Sequence, residues 1–362
     1  MTENRPPCHT KKEKGKTMII TMAHGSGGAS TSELIDEIFI KEFGTPDQKK
    51  ELEDAAVVAG ASRLAMTTDS FVVTPLEFPG GDIGRLAVCG TVNDLLMRGA
   101  KPKYLTCGYV LEEGLDSKVL ERIVHSMAET AKEAGVKIVA GDTKVVEGNG
   151  GLIINTAGVG FVPEDVDISS TKIKPGDAVI VSGNLGDHHA TILSQRMNIK
   201  NNIKSDNAPL VDIVKNLIYP DGTNTDNTAD PEERLNPYDV HCLRDVTRGG
   251  LATVLKELAE SSNVQITLKE DDLPVSDEVR DFYGLLGLDP LYMGNEGKLV
   301  CFVPREQAKE VLDVIRRSAY GQDAKIIGEV LDDHPGEVLV ETAIGGLRRL
   351  DVLQGEGLPR IC

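Results

Sequence analysis

Residues 136–181 read VKIVAGDTKVVEGNGGLIINTAGVGFVPEDVDISSTKIKPGDAVIV. Residues 136–140 form a strand-like apolar run that stops at Gly141-Asp142, and residues 150–162 alternate like a second strand and stop at Pro163. Lys174-Pro175-Gly176-Asp177 is a turn signal, and the compact apolar run 178–181 behind it opens a second domain. The boundary therefore lies near residues 165–172. Upstream, strand-like runs at 63–68 and 104–111 mix with helical periodicity at 83–98 and at 119–134, the latter closed by Gly135. Strands and helices without a strict βαβ repeat indicate an α+β fold.

Working outward, residues 30–43 begin with a capping box, Ser30 to Glu33, and carry Leu34, Ile35, Ile38 and Phe39 at helical spacing. Residues 1–17 are basic and aperiodic and are expected to be a disordered extension. Beyond the boundary, helices are expected at 210–218, 248–261, 276–286 and 305–318, and strands at 264–268, 298–303, 326–330 and 337–341. Residues 221–237 read as a mobile loop. Residues 345–362 hold Gly355, Gly357 and Pro359, oppose regular structure, and read as a flexible tail ending in Cys362. The domains are thus 18–168 and 169–344.

The 362-residue chain is too long for one core, and 40% apolar residues with 37 Gly and no Trp fit a glycine-punctuated enzyme. A net charge of −18 repels phosphate backbones and anionic lipid, which argues against nucleic-acid or membrane partners. Six scattered Cys show no zinc spacing, no run spans a bilayer, and the start lacks an apolar signal core. A cytoplasmic protein with reduced thiols is expected, with Cys89, Cys107 and Cys301 as small core residues.

Several residues could do chemistry. His24-Gly25-Ser26-Gly27-Gly28 precedes a capped helix, where bare amides can receive phosphate oxygens, or it is a hinge. Asp54, Asp69, Asp94 and Asp142 are read at strand ends or turns, as converging oxygen ligands for a hard cation or as local caps. Lys144 is a phosphate partner or a surface charge, and Asp245 is a cap for the helix that Arg248 opens or part of a site. Glu296, in Asn295-Glu296-Gly297-Lys298, is a turn residue or a carboxylate shown to a cleft. His188 and His189 are adjacent, diverge, and are read as non-ligands. Cys362, last on its Gly/Pro-rich arm, sits in the wrong place for prenylation and could act as a covalent carrier.

His24-Gly-Ser-Gly-Gly, Thr-Thr-Asp69-Ser, Phe-Pro-Gly-Gly, Gly-Thr-Val-Asn93-Asp94, Leu-Glu-Glu-Gly, Gly-Asp142-Thr143-Lys144, Asp245-Val-Thr-Arg248-Gly-Gly, Asn-Glu296-Gly-Lys and Pro-Arg-Ile-Cys362 together resemble the HypE family of hydrogenase maturation proteins. The acidic and glycine motifs recur in aminoimidazole ribonucleotide synthetase and selenophosphate synthetase, whereas the terminal Pro-Arg-Ile-Cys is specific to HypE. The resemblance implies a two-domain synthetase-like fold: an N-terminal α+β domain whose sheet pairs with that of a second protomer, then a C-terminal α/β domain, with ATP bound where they meet. It also implies ATP-dependent dehydration of a carbamoyl group on the Cys362 thiol to a thiocyanate, with a HypF-like donor and a HypC–HypD acceptor.

In site terms, the resemblance implies Mg2+ on Asp69, Asp94 and Asp142, with Lys144 on the same phosphate oxygens. Nucleotide contacts would come from Gly25, Gly27, Gly28, Asp54, Asn93, Thr143, Asp245 and Arg248. Glu296 is the expected base, with His24 second. Two features depart from the family pattern: His189 stands where Gly is expected after Gly-Asp-His, and the polar insertion 200–239 is long. A selenophosphate-synthetase-like phosphotransferase is the alternative enzyme, but the glycine loop carries Ser26 rather than Cys. A non-catalytic, nucleotide-gated scaffold is the alternative outside enzymes.

Overall fold

The computed structural model describes residues 18–25, 29–43, 58–220 and 235–353. The expectations for residues 1–17, Gly27, Gly28, Asp54, most of the 221–237 loop and Cys362 lie outside the described residues.

The N-terminal helix runs as α1 (Ala29–Leu34), a π-helical turn (Ile35–Phe39) and α2 (Ile40–Phe43), burying Leu34, Ile38 and Phe39. Next come β1 (Leu64–Phe71), the short pair β2 (Glu77–Phe78) and β3 (Gly81–Asp82), and α3 (Ile83–Leu96). Asp82 caps α3, its Oδ1 accepting from the amides of Gly84 at 2.7 Å and Arg85 at 2.9 Å. β4 (Lys101–Glu112), α4 (Ser117–Ala134), β5 (Lys137–Val146) and β6 (Leu152–Phe161) complete a four-stranded sheet of order β1-β6-β4-β5. Gly135 ends α4 in the left-handed region, at φ 69°, as its sequence position predicts.

Among the described residues, helices cover this sheet on one face only. α3 packs on β1, β6 and β4, and α4 packs on α3 and β5. All of α3 is buried except Arg85 and Asp94, because its other side meets the second domain through α6 (Val211–Ile218).

That second domain begins with β7 (Asp177–Val181) and α5 (Asp187–Arg196). After α6 it runs through β8 (Cys242–Asp245), α7 (Gly250–Ser262), β9 (Gln265–Lys269) and α8 (Asp277–Leu286). β10 (Leu299–Pro304), α9 (Ala308–Arg317), β11 (Lys325–Leu331), β12 (Val338–Glu341) and β13 (Leu347–Leu350) follow. The seven strands are ordered β13-β12-β9-β11-β7-β10-β8. β7 shows why residues 178–181 are continuously apolar: Val179 and Val181 enter the core under α7, while Ala178 and Ile180 enter the core under α6 and α9. The latter core is continuous with that of the first domain.

The expected tail starts too early. Residues 347–350 form β13 on the edge of this sheet, because Gly345 at φ 79° turns the chain and Leu350 is buried. Arg348 reaches Asp289, and Arg349 pairs with Glu337 at 3.0 Å. The α5 helix and the β8 strand were also not anticipated; both are short and lie next to the loops they position.

Candidate functional site

Asp69, Asp94 and Asp142 are not at strand ends. Asp69 lies inside β1, Asp142 inside β5, and Asp94 in the last turn of α3. Strand register decides which of them can meet. Asp69 is opposite Thr156, Thr156 opposite Cys107, and Cys107 beside Gly141; Thr156 and Cys107 are buried on the helix side, where Thr91 of α3 bonds the Thr156 hydroxyl. Side chains alternate along a strand, so Asp69 faces α3, while Asp142, in register with Gly108 and Asn155, faces the uncovered side.

On the helix side, Thr67 donates its hydroxyl to Asp94 Oδ2 at 2.7 Å. Burial holds the Asp94 carboxyl above the ordinary carboxylate range; the neighbouring Asp69 adds to this, while Arg244 and Arg248 oppose it. Asp245 ends β8 against the same group, and burial, reinforced by Asp94, pushes it up to about 6. Asp69, Asp94 and Asp245, from three elements and both domains, therefore lie within electrostatic reach of one another, near two exposed guanidinium groups. Partly desolvated carboxylates that repel one another would be relieved by a hard divalent cation, and oxygen donors suit Mg2+, but as placed here they are not grouped closely enough to hold one.

Asp142 and Lys144 stand apart from this group. Lys144 Nζ donates to Asp142 Oδ1 at 2.8 Å, with the two side chains 63% and 70% exposed, and this bond holds the Asp142 carboxyl below its ordinary range. The Thr143 amide also donates to Asp142 Oδ1, at 2.9 Å. His24 lies on the turn Met22–Gly25 packed against β5, its Nδ1 beside Thr21 and its Nε2 3.1 Å from Met18 Sδ. Within one chain, neither joins Asp69 and Asp94. Among the described residues no three His, Cys, Asp or Glu side chains form a metal-holding group.

Asn93 turns its amide to the second domain. Nδ2 donates to the Ala208 carbonyl at 3.1 Å, and Oδ1 accepts from the Leu210 amide at 2.9 Å. Both polar atoms of this side chain thus join the two domains. Glu296 is buried before β10, where Asn295 fixes the loop: Oδ1 accepts from Gly186 N at 2.7 Å, and Nδ2 donates to the carbonyls of Val246 at 3.0 Å and Met293 at 3.3 Å.

Residues that the sequence did not mark are Thr67, Asp187, Asp206 and Lys298. Lys298 and Asp206 pair at 3.4 Å, both nearly inaccessible. Asp187, at the start of α5, is pushed up to about 7, first by burial and then by Asp206. Only the folded setting gives them a role: Thr67 and Lys298 belong to the expected strands 63–68 and 298–303, whereas Asp187 and Asp206 lie in polar stretches without periodicity. His188 bonds Ser205 Oγ at 2.8 Å, and burial lowers His189 to about 4. Cys89, Cys107, Cys242 and Cys301 are buried; burial pushes the thiols of Cys107 and Cys242 up to about 12, so they are inert packing groups at neutral pH. No helix among the described residues is long and apolar enough to cross a membrane.

Comparison with known proteins fits this architecture. Residues 52–162 match the N-terminal domain, and residues 174–341 the C-terminal domain, of AIR synthase related proteins. Carbamoyl dehydratase HypE of Rhodobacter capsulatus is 44% identical over 95% of this chain and 98% of its own length, and that of Escherichia coli K12 is 43% identical over 95% and 99%. A crystal structure of hydrogenase maturation protein HypE in complex with ATP superposes with a TM-score of 0.85 at 45% identity, covering 94% of this chain and 99% of its own. A crystal structure of a HypE–HypF complex gives 0.72 at 43%, covering 90% and 100%. The chain belongs to the HypE family of AIR synthase related proteins.

Proposed function

We propose that this chain is an ATP-dependent carbamoyl dehydratase, converting a carbamoyl group on the Cys362 thiol into a thiocyanate that supplies cyanide during NiFe-hydrogenase maturation. The observation that carries this reading is the likeness, over nearly the whole chain, to proteins named carbamoyl dehydratase HypE, one relative being solved with ATP.

Dehydration requires the carbamoyl oxygen to become a leaving group and both amide protons to be removed. Phosphorylation from ATP labilises the oxygen; as the C–O bond breaks, a C≡N bond remains, and ADP and phosphate are the other products. Glu296 is the proposed base for the amide protons, with His24 second. Asp69 and Asp94, with Asp245 beside them, would hold Mg2+, which neutralises charge on the phosphates. Arg248, Thr143, Asp54 and the Gly25–Gly28 loop remain proposed nucleotide contacts, and Lys144 a proposed partner of the transferred oxygens.

A homodimer completes the proposal. The uncovered sheet face is fringed by Leu64 and Met66, 50% and 73% exposed, and it carries Asp142 and Lys144, whose part in the reaction then requires the second protomer. Met66→Glu is expected to shift the sedimenting species to monomer; an undisturbed dimer argues against this face. A HypF-like protein, of the kind solved in complex with HypE, is the proposed carbamoyl donor, and a HypC–HypD complex is the proposed acceptor. A cytoplasmic setting agrees with the four buried free thiols.

The test is ADP release. It should require a carbamoylated tail; ATP turnover independent of the tail would favour a phosphotransferase, and no turnover at all a scaffold.

A further inference from the structure

Residues 205–210 form a strap between the two groups of site residues. On the first-domain side, the Ser205 amide donates to the Pro79 carbonyl at 2.9 Å, Arg85 Nε donates to the Asn207 carbonyl at 3.0 Å, and Asn93, next to Asp94 in sequence, holds Ala208 and Leu210. Gly80 is needed there, since a Cβ would stand 2.6 Å from the Ser205 carbonyl oxygen. On the second-domain side, Asp206 Oδ1 accepts from the Glu296 amide at 3.1 Å, and Oδ2 pairs with Lys298 at 3.4 Å. Lys298 Nζ also donates to the Gly297 carbonyl at 3.1 Å. A Cβ on Gly297 would come within 1.9 Å of the Asp206 carbonyl oxygen, so strap and loop are pressed together.

One buried carboxylate therefore ties the backbone of Glu296, and the lysine two residues after it, to a segment that α3 grips at Arg85 and Asn93. A buried charge-assisted contact of this kind fixes the loop far more firmly than a surface pair would.

We propose that Asp206 is a positioning residue for Glu296, and that the 205–210 strap transmits the placement of α3, and with it Asp94, to the loop that carries the base. The proposal rests on Glu296 being the base.

Carbamoylated full-length protein, saturated with MgATP, is followed through a single turnover by the mass of its C-terminal peptide. Asp206→Ala is expected to slow dehydration about 10- to 100-fold while half-saturation by MgATP stays within about threefold. Asp206→Asn, which still offers an oxygen to the Glu296 amide, should recover at least about a third of the lost logarithm of rate, and hydrogen exchange at the Glu296 amide should rise in Asp206→Ala only. In a Glu296→Gln background, Asp206→Ala should add almost nothing.

If Glu296→Gln alone leaves dehydration unchanged, the base assignment falls and this role of Asp206 falls with it. If Glu296→Gln is slow but Asp206→Ala runs at the wild-type rate, or the two losses add in full, the strap's role is overturned while the base stands. Should Asp206→Ala not fold, Asp206→Asn carries the test: a rate loss of about threefold or more is expected, and a wild-type rate overturns the proposal.

Discussion

The two faces of the four-stranded sheet hold the same residue type in opposite physical states. On the covered face, Asp94 receives a hydroxyl from Thr67, lies beside Asp69 and is held above its ordinary range by burial. On the open face, Asp142 is 70% exposed and is held below its ordinary range by Lys144. The first environment makes a carboxylate costly to ionise until a cation arrives; the second keeps it charged and hydrated. The covered face thus presents carboxylates whose charge a bound cation would relieve, whereas on the open face the neighbouring lysine already does so.

The largest effect that could break this comparison is on turnover. Asp69→Asn and Asp94→Asn are each expected to lower ATP turnover about 10²- to 10³-fold, read by ADP release; near-normal turnover in either would remove the covered face from the site.

Next comes packing. Ile154 is buried beneath the helices and its neighbour Ile153 points to the open face. Ile154→Ala should destabilise the chain by about 2–4 kcal/mol in urea unfolding, and Ile153→Ala in the monomer by less than about 1 kcal/mol. Equal losses would mean that the open face is as well packed as the covered one.

A third test asks what burial does to a carboxylate. Asp187 is pushed up to about 7 by burial, with Asp206 and Asp323 adding and Lys298 opposing. The unfolded chain ionises near 3.9, so the folded form binds the extra proton between the two values, and stability falls as pH rises from about 4 to 7. Asp187→Asn should remove this slope, matching wild type near pH 4 and exceeding it by about 1–2 kcal/mol at pH 8. The smallest effect belongs to the open face, where Lys144→Gln should change stability by no more than about 0.5 kcal/mol because its ion pair is exposed.

How much of this could be read beforehand follows from the same contrast. Periodicity and turn chemistry located α3, α4, β4, β6 and β7, because local rules govern them. The motif residues Asp69, Asp94 and Asp245 were also visible. Their positions were not: Asp69 and Asp142 look equivalent in sequence, and only strand register puts them on opposite faces. The side-chain amide of Asn93 binds Ala208 and Leu210 of a strap whose polar start, Ser205-Asp206-Asn207, carries no periodic signal. The tail expectation, argued from Gly355, Gly357 and Pro359, begins too early: Gly345 and Gly346 make the turn that leads into β13 at 347–350.

The central claim is that Cys362 carries the reacting group. Incubated with a carbamoyl donor, the C-terminal peptide should gain about 43 Da, and on addition of ATP it should lose about 18 Da as ADP is released. A Cys362→Ala chain that still yields a thiocyanate-bearing protein, or ATP consumption with the carbamoylated mass unchanged, would contradict it.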